Sequence, residues 1–193
     1  MKEMLLLLVG SALVNYFVLV RFLGICPFLG MTRQLDTALG MGLAASLVLV
    51  LSAMASWLVY TYILVPLELE YMQIVVFILM IACLVQLLEM VLKKVFPQLY
   101  KAMGIYLALI TTNCAIMGIA LLVVSSGYTF WQTTLFAVGA GLGFTLALAM
   151  MAGIREELEF ADVPLAAKGT SLALLIAGIM SMGFLGFAGL VPM

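Results

Sequence analysis

The chain has 193 residues, of which 67% are hydrophobic and only 9% charged, with a formal net charge of −1 and no histidine. Soluble domains are roughly half apolar and a quarter charged, so this composition excludes a soluble globular protein. A near-zero net charge without a basic stripe gives no footing for nucleic acid.

Apolar runs close to the ~20 residues that span a bilayer recur along the chain. Six are read, at about 4–31, 38–62, 71–92, 103–124, 130–153 and 170–190, joined by short connections. The expected fold class is an all-α integral membrane protein of six transmembrane helices in two inverted three-helix repeats, forming one membrane domain over 1–193 (repeat one about 1–95, repeat two about 96–193). The first run follows Lys2 and has the look of a signal peptide, but five further apolar runs follow it rather than a polar mature domain.

Spans one and four are expected to be broken near Cys26 and Cys114. In span one, Leu23-Gly24-Ile25-Cys26-Pro27-Phe28-Leu29-Gly30 interrupts the apolar run. Proline lacks a backbone donor and clashes with the preceding turn, so Pro27 predicts a break just after Cys26. Arg21, one turn earlier, snorkels to the interface or places positive charge near an anionic centre. In span two stands Gly40-Met41-Gly42-Leu43. Span three holds Cys83, and near its end Glu89 precedes Lys93 by four residues, the helical spacing for a mutual contact. In span four, Ile110-Thr111-Thr112-Asn113-Cys114-Ala115-Ile116-Met117-Gly118 brings polar residues into mid-run, and both interruptions place a cysteine four residues before a glycine. Irregular backbone at membrane depth survives only where it is buried in protein or lines a cavity.

Span five carries Gly139-Ala140-Gly141-Leu142, the counterpart of the span-two glycines, with Gly139 and Gly143 at the spacing of close helix contacts. The following loop gathers Glu156, Glu157, Glu159 and Asp162, a solvated face or a dock for a basic surface. In span six, Ile176-Ala177-Gly178 matches Ile81-Ala82-Cys83, and Gly183, Gly186 and Gly189 recur. The matches occur in one order in both halves, and an odd number of spans per repeat inverts the second copy. The plainer reading is that small residues recur in any packed membrane bundle.

Basic residues accumulate on the cytoplasmic side of membrane proteins. With six spans, one face holds only Lys2 and the other holds Arg33, Lys93, Lys94, Lys101, Arg155 and Lys168, which puts both termini outside. Trp57, Tyr60, Tyr62, Tyr71, Tyr128 and Trp131 then fall at the outer interface, where amphipathic rings prefer to sit.

The three cysteines, Cys26, Cys83 and Cys114, lie within or beside apolar runs, so a disulfide framework is not expected. A zinc or iron–sulfur centre takes about four ligands, so none closes within this chain and any such centre borrows ligands from another. Cysteine is also a small, commonly buried apolar residue, and packing alone accounts for the three as well. Cys83 is set aside as a contact residue because its repeat counterpart is a glycine.

Leu23 to Gly30, Leu39-Gly40-Met41-Gly42-Leu43-Ala44, Leu109-Ile110-Thr111-Thr112-Asn113-Cys114-Ala115, and Ile154-Arg155-Glu156 followed by Ala161-Asp162-Val163-Pro164 resemble a known family from end to end. It is the family of the A subunit of the Rnf ion-translocating electron-transport complex and the E subunit of the sodium-pumping NADH:quinone reductase, and Cys26-Pro27-Phe28-Leu29-Gly30 is closer to the Rnf form. The resemblance implies a homologous Rnf E subunit of opposite topology, B, C, D and G subunits, and a bacterial inner-membrane location. It also implies a [2Fe-2S] cluster shared with that homologous partner, with Cys26 and Cys114 as this chain's ligands. Electrons would pass between ferredoxin and NAD, coupled to sodium or proton movement. Flavins and NAD would sit on other subunits, since this chain has no nucleotide fingerprint and no histidine for haem. The rival class is a small inverted-repeat secondary transporter with a substrate site at the broken helices.

Overall fold

The computed structural model describes residues 23–30, 32, 34–68, 70–95, 106–159 and 169–186, and the regular structure among them is helical. A short helix α1, Ile25–Gly30, precedes the long α2, Leu35–Val59. The latter continues through a π-helical turn, Tyr60–Leu64, into Val65–Leu67. Pro66 has no N–H for a helical partner, and the wider turn before it, closed by the Val65 N–H on the Tyr60 carbonyl, absorbs that irregularity. Then come α3, Gln73–Val95; α4, Tyr106–Thr111; α5, Cys114–Ser125; α6, Phe130–Glu159; and α7, Thr170–Leu185.

The centre of the molecule is the antiparallel pair α2 and α6. Trp57 meets Phe130 edge to face at one end, with ring centroids 5.4 Å apart, and Leu35 lies beside Gly153 at the other. Between them the contact is reciprocal: a Cβ on Gly42 would stand 2.8 Å from Thr145 Cγ2, and one on Gly141 would stand 2.7 Å from Ser46 Cβ. Lipid offers no hydrophobic force that pushes two helices together, so small residues that let backbones approach are what tighten this crossing. Gly42 and Gly141 therefore carry the contact, whereas Gly40 faces open space. Gly183 also has open space around it, and Gly186 meets only the Gly183 carbonyl, so neither makes a close helix approach among the described residues.

Two apolar clusters flank the pair. One joins Met41, Leu49 and Ala53 of α2 with Phe77 and Val85 of α3, Ile116 and Ile119 of α5, and Phe136 of α6. The other joins Phe28 of α1, Ala115 of α5, Phe144, Leu148 and Met151 of α6, and Ala173 and Ile176 of α7. Outward faces stay apolar, with Leu43, Leu79, Leu175 and Met182 all exposed, as helices surrounded by hydrocarbon require.

The expectation of six transmembrane helices in two inverted three-helix repeats is corrected by the lengths of these helices. Among the described residues, three are long and apolar enough to cross a membrane: Leu35–Leu67, Gln73–Val91 and Phe130–Leu158. The fourth run, expected to be broken near Cys114, is divided between a six-residue α4 and a twelve-residue α5. At 1.5 Å per residue α5 extends about 18 Å, short of the ~30 Å hydrocarbon core. The sixteen-residue α7 extends about 24 Å by the same measure. Residues 1–22, including Lys2 and Arg21, lie outside the described residues, as do Arg33, Lys101, Asp162, Pro164, Lys168 and Gly189. The chain is a multi-pass membrane protein.

Candidate functional site

Gly24 lies in the left-handed region at φ +88°, where an L side chain is strained, and a Cβ there would stand 3.0 Å from Phe144 Cε2 and 3.1 Å from Ala115 Cβ. Glycine is thus required twice, by conformation and by space. The turn it makes aims its backbone N–H at Cys114 Sγ, 2.9 Å away. This bond joins the segment of Cys26 to the segment of Cys114 across 90 residues of sequence. Leu23 reinforces the junction by packing over Gly118, where a Cβ would stand 3.0 Å from its Cδ2.

Pro27 does not end a helix after Cys26. The chain turns at Gly24, α1 begins at Ile25, and Pro27 sits buried in the first turn. N–H groups of a first turn have no intrahelical acceptor, so the missing donor costs little there. The break in the fourth run has a different origin. Asn113 adopts extended geometry, φ −73° and ψ 114°, and its side chain accepts the Ala115 N–H at 3.0 Å, which makes it the N-cap of α5. Its own N–H still reaches the Ile110 carbonyl at 3.2 Å, so the backbone bends without leaving that donor unmet. Cys114 is the first residue of α5, at the positive end of its dipole.

Both segments are rooted in one apolar cluster. Phe28 and Ala115 are each 1% exposed and pack with Phe144 and Leu148, while Cys26 and Cys114 are exposed at the chain's surface. Cys83 is also exposed, but it sits within the regular α3, outside the two segments that form this junction. None of the three is in a disulfide. Among the described residues no group of three or more His, Cys, Asp or Glu could hold a metal ion. Two thiols are half the ligand number of a four-thiolate iron–sulfur site.

Three contributors are not legible as such in the sequence. Arg155, read there as a topological charge, reaches from the end of α6 to the carbonyl of Leu29 at 2.9 Å and to Thr32 Oγ1 at 3.0 Å. Thr32, fully buried, donates in turn to the Phe28 carbonyl at 2.7 Å. Phe144 forms the floor beneath Gly24. The one available signal was the position of Arg155 inside the Ile154-Arg155-Glu156 motif, which names a residue but not its contact.

At the opposite end, the Trp57 indole N–H donates to the Tyr128 carbonyl at 2.8 Å, and Phe130 stacks edge-on against Trp131. Tyr62, Tyr71 and Trp131 are exposed there or beyond it.

The family model described as Rnf-Nqr subunit, membrane protein, matches residues 4–191. The chain is 51% identical over 192 residues to the A subunit of the ion-translocating oxidoreductase complex of Syntrophotalea carbinolica, covering all of both chains. It is 53% identical to the corresponding protein of Alkalilimnicola ehrlichii and 52% to that of Serratia proteamaculans, each over 191 residues and 99% of both chains. The chain belongs to the Rnf-Nqr family of membrane subunits and is a homologue of the A subunit of ion-translocating oxidoreductase complexes.

Proposed function

We propose that this chain is the intramembrane electron relay of an Rnf-type complex, in which Cys26 and Cys114 supply two of the four thiolates of a [2Fe-2S] cluster and a homologous subunit supplies the others. The observation that carries this reading is the bond from the Gly24 N–H to Cys114 Sγ, which unites the two cysteine segments while both cysteines stay exposed. When bound, the cluster supplies one-electron transfer between ferredoxin and NAD centres on the other subunits, coupled to sodium or proton movement. The chain's own residues do the holding. Gly24 directs an N–H at the Cys114 sulfur, a contact of the kind that tunes cluster potential. Phe28, Ala115 and Phe144 keep water from the inner side of the junction. The expected partners are the E subunit beside the thiols and the B, C, D and G subunits, in a bacterial cytoplasmic membrane.

The test is electron paramagnetic resonance of the reduced, assembled complex, together with ferredoxin-dependent NAD reduction in membranes. Replacing a thiolate by serine puts a harder oxygen where iron prefers sulfur. Cys26→Ser and Cys114→Ser should each remove or displace the cluster signal and abolish turnover, while Cys83→Ser keeps both. An assembled Cys26→Ser or Cys114→Ser complex with normal signal and turnover overturns the assignment. The bias of Lys and Arg also supports termini on the outer face. A reporter fused after Met193 should read as external, and cytoplasmic activity there would reverse the orientation.

A further inference from the structure

We propose that Arg155 is the positioning residue of the Cys26 segment, holding the carboxyl end of α1 while Gly24 holds its amino end. A helix of six residues is too short to sustain itself, because nucleating a turn fixes many dihedrals for few hydrogen bonds. Its last carbonyls also lack intrahelical donors. Here those carbonyls are met from outside: Leu29 O by the Arg155 guanidinium, and Phe28 O by the Thr32 hydroxyl, which itself accepts from the same Arg155 nitrogen. A cation at a helix carboxyl end is favourable for the dipole as well. The other end is closed by the bond from Gly24 to Cys114.

Cys26 therefore stands between two tertiary ties. One leads to the other cysteine, and one leads to the carboxyl end of α6, where Glu156 and Glu157 are exposed. The tie from Arg155 reaches the Cys26 segment directly, whereas the start of the Cys114 helix has its own cap. The consequence for redox chemistry rests on the reading of Cys26 as a cluster ligand; the mechanical role does not.

The experiment uses the full chain in membranes with only Cys83 replaced (Cys83→Ser), and alkylation at Cys26 and at Cys114 is read separately by peptide mass spectrometry. A membrane-permeant maleimide is the probe. Loss of two charge-assisted hydrogen bonds in Arg155→Gln should raise the alkylation rate of Cys26 about tenfold and leave that of Cys114 within about twofold. Arg155→Lys, which keeps the charge without the planar fork, should return the rate most of the way to that of the unsubstituted chain. Thr32→Val, which removes only the relay through the hydroxyl, should give a smaller rise of about threefold and serves if Arg155→Gln does not insert. In the assembled complex with its native cysteines, Arg155→Gln should shift the midpoint potential of the cluster signal and Arg155→Lys should return it. An unchanged Cys26 rate in an inserted Arg155→Gln or Thr32→Val chain, or equal rises at both cysteines, overturns the proposal. If the cluster signal survives Cys26→Ser, the ligand reading fails, while the alkylation result still decides the role of Arg155.

Discussion

Cys114 opens a twelve-residue helix whose start is fixed by its immediate neighbour Asn113, whereas Cys26 lies in a six-residue helix tied at both ends by groups from elsewhere in the chain. The two segments look alike in sequence, each an apolar run interrupted beside a cysteine four residues before a glycine. Their physical support differs. A cap is a local device, strong or weak according to one side chain. A helix held by tertiary ties is only as well placed as the elements that hold it. The difference teaches that Cys114 is the fixed member of the pair and Cys26 the member that follows the rest of the fold.

Substitutions at four positions break or sharpen this contrast. The largest effect is expected at Gly24, where a side chain meets both the wrong backbone region and the Phe144 ring. Gly24→Ala should cost about 1–3 kcal/mol for the conformation alone, and should change the alkylation rates of Cys26 and Cys114 together because the displaced backbone N–H no longer meets the Cys114 sulfur. Unchanged rates at both thiols would show that the junction does not depend on Gly24.

Next comes the crossing beneath the site. Gly141→Ala places a methyl group 3.1 Å from the Ser46 Cα, a backbone atom that cannot rotate away. Overpacking of this kind should cost about 1–3 kcal/mol in a denaturation series in mixed micelles, with Cys26 disturbed more than Cys114 because α6 carries Arg155, which holds the Leu29 carbonyl of the Cys26 helix. Equal disturbance of the two would erase the asymmetry.

Asn113→Ala should cost about 1 kcal/mol, the worth of an N-cap, and should raise the reactivity of Cys114 more than that of Cys26. Asn113→Asp or Asn113→Ser, which keep a capping acceptor, should recover most of the loss. The opposite order of reactivity would contradict the local cap.

The smallest effect belongs to Gly40, in open space on the outward face of α2. Gly40→Ala should change stability by no more than about 0.5 kcal/mol. A large loss of complex assembly, with the isolated chain unaffected, would instead place a partner against that face.

Much of the site's identity is written in short stretches. Composition alone marks a membrane protein, and polar Thr111, Thr112 and Asn113 in mid-run mark an irregular point, because an apolar environment leaves such residues few tolerable places. The end-to-end likeness of the chain to its family rests on the same stretches, and it holds over residues 4–191. Helix number and length were not legible in this way. An apolar run measures hydrophobic content but not continuity, and Asn113 converts one run into two short helices by a hydrogen bond that hydropathy does not register. Pro27 shows the same limit from the other side. Its missing donor breaks a helix interior but is harmless in a first turn, and only the position of Gly24 decides which of these applies.

By itself, then, the sequence determined the solvent this chain lives in and the number of thiols it carries, since these follow from side-chain chemistry at single positions. The tertiary structure decided which glycine contacts which helix, that Gly24 points its N–H at Cys114, and that Arg155 grips the helix of Cys26. Those contacts join residues 90 to 126 positions apart, and no local propensity encodes a partner at that distance. They exist because α2 and α6 pack antiparallel through Gly42 and Gly141, which brings Phe144 and Arg155 up to the two cysteine segments.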